Sequence, residues 1–334
     1  MGLNIREIVP RRQIEFSELK GKVIAVDAFN ALYQFLSSIR QYDGTPLQDK
    51  SGRITSHLSG LFYRNAALLG EGIKLVYVFD GMPPEMKGRT NESRKEGKEI
   101  AKAKYEEAKE KEDYGAMKKY SSQMVKLNSE MIEESKKLLK AMGIAVIQAP
   151  GEGEAQASYL AKAGEVYAVA SQDYDCLLFG APRLIQNLTL ARKRKTVSGF
   201  IEVNPEIIEL ERVLNHLQID YEQLISLGIL VGTDYNPGGV FRIGQKKALQ
   251  YVQKFGAPAM IFKEFGNLDF NWQDVFEMFK KPDVNPIAEI VFPKIDETEI
   301  RKILMDHDFT EERIEKQIEK LKDVKVKSAQ KTLF

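Results

Sequence analysis

The sequence predicts an α/β fold with a mostly parallel central sheet flanked by helices. Three apolar runs, Val23–Val26, Leu75–Phe79 and Val166–Ala170, each lead into an acid: Asp27, Asp80 and Asp173. Runs that are apolar at nearly every position suit strands covered on both faces, the usual condition of a parallel sheet. Stretches of helical character separate them. In such sheets, active sites gather at the carboxyl ends of the strands.

In chain order, Lys22–Asp27 reads as a buried strand. Ala28–Arg40 reads as a helix, with Phe29, Leu32, Tyr33, Leu36 and Ile39 as its inner-face candidates. Asp43-Gly44-Thr45-Pro46 is a turn and residues 57–70 are a second helix. Lys74–Asp80 is the next buried strand. From Glu85 to Ala149 there is no proline, and Lys, Glu, Ala and Met abound, which predicts long exposed helices. Lys87 and Arg94, seven residues apart, share a face of such a helix. Ile144–Ile147 is a strand, followed by Pro150-Gly151-Glu152-Gly153-Glu154 and a helix to Gly164. Val166–Ala170 is a strand closed by Ser171-Gln172-Asp173-Tyr174-Asp175. Leu184-Ile185 and Gly199–Val203 are further strands. Leu224–Val231 is a helix, Gly232–Gly239 a loop, and Arg242–Leu249 opens another helix. Residues 265–320 read as helical and charged, with Trp272 packed, and Lys325–Phe334 as a disordered tail.

Two acid pairs, Glu152/Glu154 and Asp173/Asp175, bracket one helix–strand unit. Clustered carboxylates repel unless a positive charge sits among them. Mg²⁺ or Mn²⁺ is the usual solution, because hard cations take oxygen ligands. One pair alone is explained as well by the helix dipole or a polar strand end. Two pairs in one unit, with acids ending three strands, weigh toward metal.

The net charge is +1, unevenly spread. Residues 181–200 hold Arg183, Arg192, Lys193, Arg194 and Lys195 without an acid, and residues 236–260 hold Arg242, Lys246, Lys247 and Lys254 likewise. Such patches beside acidic clusters suggest a phosphate-rich partner. The glycine loop entering a helix at 238–247 offers N–H groups and a positive dipole end to phosphate. The one cysteine, Cys176, excludes a disulfide framework and points to a reducing compartment. No apolar run approaches the ~18 residues of a membrane span. The first residues fit neither a myristoylation signal nor a secretory peptide. His57, His216 and His307 show no metal-ligand spacing.

Taken together, Val26-Asp27-Ala28, Val78-Phe79-Asp80-Gly81, Gly151-Glu152-Gly153-Glu154-Ala155-Gln156-Ala157, Gln172-Asp173-Tyr174-Asp175 and Gly232-Thr233-Asp234-Tyr235 are specific in this order. On them the chain resembles the flap endonucleases, structure-specific 5′ nucleases of the XPG class, most closely the archaeal ones. The resemblance covers nearly the whole chain. It implies an N-terminal nuclease region (1–98), a helical arch insertion (99–140, rooted at Lys87) and an internal nuclease region (141–260). The internal region contains a helix–two-turn–helix (222–255) that binds duplex DNA. A C-terminal helical region (261–324) and a tail (325–334) follow. It implies seven metal-site carboxylates: Asp27, Asp80, Glu152, Glu154, Asp173, Asp175 and Asp234. Setting these aside leaves +8 on the rest of the chain. Two Mg²⁺ ions, replaceable by Mn²⁺, are implied. Asp80, Glu152, Glu154 and Asp173 fall nearest one ion, Asp175 and Asp234 lean to the other, and Asp27 acts through water.

The resemblance also implies that Lys87 and Arg94 contact the scissile phosphate and that Tyr33 stacks on an unpaired base. Arg40, Arg64 and the Gly232 backbone touch DNA, as do Gly238, Gly239, Lys246 and Lys247. Leu47 and Thr55 seat a 3′ nucleotide, and Gly2 lies near the site. The implied activity is removal of 5′ flaps from branched DNA in replication and repair, with 5′–3′ exonuclease action on nicked or gapped duplex. The implied state is a monomer, cytoplasmic in an archaeal-type enzyme and nuclear in a eukaryotic one. Two departures stand out. Arg242 and Gln245 replace a glycine and a proline of the family's turn. A positive φ at Arg242 costs ~1–2 kcal/mol, which counts against a potassium ion on that turn. The sliding-clamp box begins at Gln330 and Leu333, and the sequence ends at Phe334, before its aromatic pair. The short spacer between Asp80 and Glu152 argues against bubble-cutting relatives. A non-catalytic DNA- or clamp-binding scaffold is the alternative, but it gains nothing from seven acids beside DNA.

Overall fold

A fully buried strand needs partners on both edges, and the strand ending in Asp27 has parallel partners on both. This computed structural model describes residues 3–82, 88–111, 113–190, 193–196 and 199–330. The chain opens with β1 (Arg12–Gln13), a 3₁₀ turn, β2 (Val23–Asp27), α1 (Ala28–Ser38), α2 (Ser56–Gly70) and β3 (Lys74–Phe79). Then come α3 (Gly88–Glu110), α4 (Tyr114–Gln123), α5 (Ser129–Ala141), β4 (Ala145–Gln148), α6 (Gly153–Lys162), β5 (Ala168–Ala170) and α7 (Asp175–Leu178). Next are β6 (Arg183–Gln186), β7 (Lys193–Thr196), β8 (Gly199–Glu202), β9 (Glu206–Glu209), α8 (Leu210–Leu217), α9 (Tyr221–Val231) and α10 (Gln245–Phe255). The chain continues with α11 (Pro258–Lys263), α12 (Trp272–Lys280), α13 (Glu297–Asp306) and α14 (Glu311–Gln330).

The main sheet has seven strands in the order β1-β9-β6-β5-β2-β3-β4. The five strands from β6 to β4 run parallel, while β9 and β1 join antiparallel at the far edge. The expected mostly parallel sheet is therefore present. Asp27 pairs with Val78, and Val26 with Ala170, so the ends of β2, β3 and β5 meet at one edge of the sheet.

Alternation along the strands divides the core into two layers. Ala25, Val76 and Val78 face one, with α6, α7, α9, α10 and α12. Ile24, Val26, Leu75 and Tyr77 face the other, with α1, α2, α5, α13 and α14. Each buried aliphatic side chain contributes ~1.5–3 kcal/mol. The Tyr77 hydroxyl donates to Asn65 Oδ1 at 2.9 Å, which satisfies the one polar atom that side chain buries.

In the second layer, histidines distant in sequence meet. His307 Nε2 lies 2.9 Å from Glu134 Oε1, and its Nδ1 lies 3.3 Å from Asp49 Oδ2. His57 Nε2 reaches Glu134 Oε2 at 3.4 Å, and its proximity foremost holds the Glu134 carboxyl below the usual range. Arg53 ties Asp49 at 2.7 Å to Asp306 at 2.8 Å. The loop before α2 is thereby fastened to the end of α13.

Several expectations are corrected. The arch was expected to run to Lys140, but α5 packs on the body: Met131, Ser135, Leu138 and Leu139 are buried on one face. α3 and α4 pack on each other through small or flexible residues such as Ala101, Ala108 and Met117. Residues 281–296 are an extended strap, not helix, because Pro282, Pro286 and Pro293 interrupt the backbone ladder. The helix expected from Arg242 starts at Gln245. The tail expected from Lys325 continues as helix to Gln330, in a run free of glycine and proline. Among the described residues, no helix is long and apolar enough to cross a membrane.

Candidate active site

Parallel strands in register deliver their last residues to one place. Asp27 ends β2, Asp80 follows β3, and Asp173 lies three residues past β5. The turn after β4 delivers Glu152 as N-cap of α6, with Glu154 in its first turn. Asp175 opens α7, and Asp234 follows α9. Six of the seven line a single cavity of about 740 Å³. Asp175 joins them: carboxylate oxygens of Glu154, Asp173 and Asp175 all lie within 4.8 Å of one another. All seven sequence-derived carboxylates are thus brought together.

The cluster is knit by short polar contacts. Asp27 Oδ1 accepts from Asn30 N at 3.0 Å, capping α1. Ser171 Oγ lies 3.1 Å from Asp27 Oδ2 and 3.2 Å from Glu154 Oε1, and accepts from Asp173 N at 3.1 Å. Asp173 Oδ1 accepts from Asp175 N at 3.1 Å. Asp80 Oδ1 accepts from Gly153 N at 2.8 Å. The Tyr235 hydroxyl donates to Glu152 Oε2. Burial, then the neighbouring carboxylates, keep that phenol protonated far above its usual range.

Negative charge is concentrated among these carboxylates. Burial, then Asp173, Asp27 and Asp175, push the Glu154 carboxyl well above its ordinary value. Burial pushes Asp173 up to about 6, helped by Asp234 and Asp27 and opposed by the Asp175 N–H. Among the described residues lining the cavity, Lys98 is the one cation. Oxygen donors alone, crowded and electrostatically strained, fit a hard divalent ion such as Mg²⁺ or Mn²⁺.

One face of α1 forms the cavity wall: Phe29, Asn30, Tyr33, Gln34 and Ser37. Tyr33 and Phe29 were inner-face candidates, yet Tyr33 is 40% exposed and Ala28, Ala31, Leu32, Phe35 and Leu36 carry the core contact. Lys98 of α3 sits 5.8 Å from the Tyr33 ring centroid, and Ser122, Gln123 and Val125 close the opposite wall. The cleft thus lies between the sheet and the α3–α4 pair.

Other predicted residues lie apart from the carboxylates. Arg40 donates to Ser37 O at 3.1 Å, Gly44 O at 2.7 Å and Ser121 Oγ at 2.9 Å, tying α1 to α4. Arg64 is half-buried on α2, and burial lowers its pKa. Leu47 N donates to Ser56 Oγ at 2.9 Å, and Thr55 N donates to Leu47 O at 2.8 Å. Gly2, Lys87, Leu333 and Phe334 lie outside the described residues. Arg94 and Gln330 are placed only as backbone positions of α3 and α14.

The loop from α9 to α10 is tightly organised. Thr233 Oγ1 donates to Asn236 Oδ1 at 2.8 Å, and Asn236 Nδ2 donates to Ile229 O at 2.7 Å. Gly232, Gly238 and Gly239 all have positive φ. A Cβ on Gly239 would lie 2.4 Å from Leu230 O, so only glycine fits there. Arg242 has φ 63, the strained conformation anticipated from its replacement of a glycine. Its guanidinium lies 5.0 Å from the ring centroid of Phe241, itself 83% exposed. Lys246 Nζ lies 3.5 Å from Glu7 Oε2 on the surface, and Lys247 is exposed nearby.

Sequence reasoning assigned no role to Ser171, Asn30, Tyr235 or Lys98. Ser171 and Tyr235 stand inside quoted motifs, which was the available signal. Lys98 had none, being one lysine among many in α3.

Comparison with known proteins agrees with this arrangement. The XPG N-terminal domain matches residues 3–101 and the XPG I-region matches residues 143–234. Flap endonuclease 1 of Pyrococcus furiosus is 52% identical over 336 residues, covering 100% of this chain and 98% of that protein. Flap endonuclease 1 of Aeropyrum pernix is 50% identical, covering 96% and 94%. The solved flap endonuclease-1 of Methanococcus jannaschii superposes with a TM-score of 0.77 at 42% identity, covering 98% of this chain and 100% of that one. The catalytic core of Rad2 in complex with DNA substrate shares the fold, with a TM-score of 0.72 at 23% identity and coverage of 96% and 100%. From its strand-end carboxylates to its matched N-terminal and internal regions, this chain belongs to the flap endonuclease family of XPG nucleases.

Proposed function

We propose that this protein hydrolyses a phosphodiester bond at the base of 5′ flaps in branched DNA during replication and repair. It also acts as a 5′–3′ exonuclease on nicked or gapped duplex. The observation that carries this reading is the convergence of seven carboxylates at the strand ends, beneath α3 and α4. Asp80, Glu152, Glu154 and Asp173 would hold one divalent ion, with Asp175 and Asp234 toward a second and Asp27 acting through water. When bound, Mg²⁺, or Mn²⁺ in its place, supplies an activated water and charge stabilisation at the leaving oxygen.

The chain's own residues do the rest. Tyr33, exposed in the cleft, stacks on an unpaired base of the 5′ strand. Lys87 and Arg94, seven residues apart in the sequence, neutralise charge on the scissile phosphate. The amides of Gly232, Gly238 and Gly239 and the charges of Lys246 and Lys247 hold duplex backbone without reading sequence. Arg242 brings its own charge to that turn, which is read as a phosphate site without a potassium ion. Arg40 and Arg64 border the DNA path, and Leu47 and Thr55 seat a single 3′ nucleotide. Gln330, Leu333 and Phe334 begin a segment that docks on a sliding clamp. The enzyme works as a monomer in the cytoplasm.

The test is digestion of end-labelled flap, nicked and single-stranded DNA with Mg²⁺ or with EDTA, mapping the cut. Cleavage at the flap junction only with Mg²⁺ is expected. Tight flap binding without any cleavage would replace this reading with a scaffold. Lys87→Ala and Arg94→Ala should each slow single-turnover cleavage by ~10²-fold.

A further inference from the structure

We propose that Tyr235 is a positioning residue for the metal centre, its phenol holding the Glu152 carboxylate in the orientation that faces the cavity. Glu152 is the N-cap of α6, yet its side chain makes no capping hydrogen bond. Asp80 serves the first N–H of that helix instead, through Gly153. Glu152 therefore does not cap its own helix, and its side chain takes the Tyr235 hydroxyl instead.

Tyr235 is built to do this. Its ring is 6% exposed and packs edge-on against Phe279, with centroids 5.3 Å apart and planes at 80°. Phe279 is in turn 4.9 Å from Phe179. Its backbone N–H is held by Thr233 Oγ1 at 3.1 Å within the Thr233–Asn236 turn. A buried ring packed on Phe279, on a backbone held by Thr233, presents its hydroxyl to Glu152 Oε2. Tyr235 also follows Asp234 directly, so one loop supplies a carboxylate to the cavity and restrains another arriving from α6. Outer partners of ligating carboxylates typically change metal affinity by ~10–100-fold when removed. The inference rests on the metal reading given above, and the test separates the two.

Tyr235→Phe keeps the ring and its packing and removes only the hydroxyl. Mn²⁺ binding to the DNA-free protein is measured by calorimetry, beside the Mg²⁺ midpoint of single-turnover cleavage and flap affinity in EDTA. The expected result is Mn²⁺ affinity weakened by ~10-fold and a Mg²⁺ midpoint raised to match. Melting temperature in EDTA and flap affinity stay unchanged, and excess Mg²⁺ restores most of the rate. In a Glu152→Asp background, whose shorter side chain cannot reach the phenol, Tyr235→Phe should add no further loss. Equal Mn²⁺ affinity and Mg²⁺ midpoint in Tyr235→Phe and wild type would overturn the assignment. A purely structural role would instead lower the melting temperature with no recovery at high Mg²⁺, and would overturn it too. Wild-type protein that takes up no Mn²⁺ would remove the metal reading itself and this inference with it.

Discussion

Asp80 Oδ1 accepts the backbone N–H of Gly153 at 2.8 Å, so one candidate ligand fixes the helix that carries two others. The contact works because Gly153 has no side chain: a Cβ there would lie 2.6 Å from Asp80 Oδ1 and 2.9 Å from Val78 O. β3 and α6 approach as closely as backbone allows.

Gly153→Ala should therefore disturb the site beyond its size. The methyl group must push Asp80 and Val78 away, at ~1–3 kcal/mol for overpacking. Cleavage should fall by ~10²-fold or more, since small displacements of reacting groups are costly to rate. Single-turnover rates and denaturant midpoints check both. Unchanged rates would mean that the approach is slack.

The metal-free protein should have a distinctive pH dependence. The Asp173 carboxyl is raised to about 6, burial being the largest cause. Its unfolded value is ~3.9. The stability it permits is full below the unfolded value and is lost as pH rises through about 6. Asp173→Asn removes that loss and also abolishes cleavage. In EDTA at pH 7.5 the variant should melt above wild type, by ~1–2 °C for each kcal/mol regained. Near pH 4 the two should converge. Scanning calorimetry across pH decides, and a variant that is no more stable at pH 7.5 would sink the electrostatic account.

How much of this was legible in the sequence follows from what each residue reports locally. Buried parallel strands advertise themselves as unbroken apolar runs, so the sequence alone puts Asp27, Asp80 and Asp173 at strand ends. β7 reads Lys-Arg-Lys-Thr, which has no apolar face and looks like basic surface. β9 is only Glu-Ile-Ile-Glu, too short to show a period. α5 shares its lysine- and glutamate-rich composition with α3, and only the spacing of Met131, Ser135 and Leu138 marks it as body. Tyr33 was ambiguous because an aromatic at helical spacing is usually core; its exposure follows from what α3 leaves open above it. The partners of Glu152 and His307 were invisible, being 83 and 173 residues away.

Tyr33→Ala should weaken flap binding by ~1–3 kcal/mol if a base stacks there. The loss should appear for substrates with an unpaired 5′ strand and be small for plain duplex. Fluorescence titrations with the two DNAs make the comparison. An equal loss on both would assign Tyr33 to the wall of the cleft and not to a base.

Changing Lys246 and Lys247 together to Ala should flatten the log K versus log [salt] slope by up to ~2. The surface pair between Lys246 and Glu7 at 3.5 Å adds a control. Glu7→Gln frees that lysine and should strengthen duplex binding slightly at low salt. Slopes indistinguishable from wild type in the double lysine variant would mean that the turn does not hold DNA.

Arg242→Gly should relieve the left-handed strain of ~1–2 kcal/mol, offset by ~0.5–1 kcal/mol of glycine flexibility. A small net gain in stability is expected from urea midpoints, together with weaker duplex binding. Loss of stability would show that the contact of Arg242 with Phe241 outweighs the backbone strain.

The second core layer sets an order on the life of the chain. Leu58, Leu61, Leu138 and Leu139 are buried against Ile300, Leu304, Ile314, Ile318 and Leu321, which are synthesised after every other member of that layer. Until those residues are made, the outer faces of α2 and α5 lack their cover, although α1, α2 and α5 already lie over that side of the sheet. All seven carboxylates have by then been made. The last cover on this layer therefore comes from the final two helices, so a chain cut short before α13 should leave the apolar faces of α2 and α5 open to solvent.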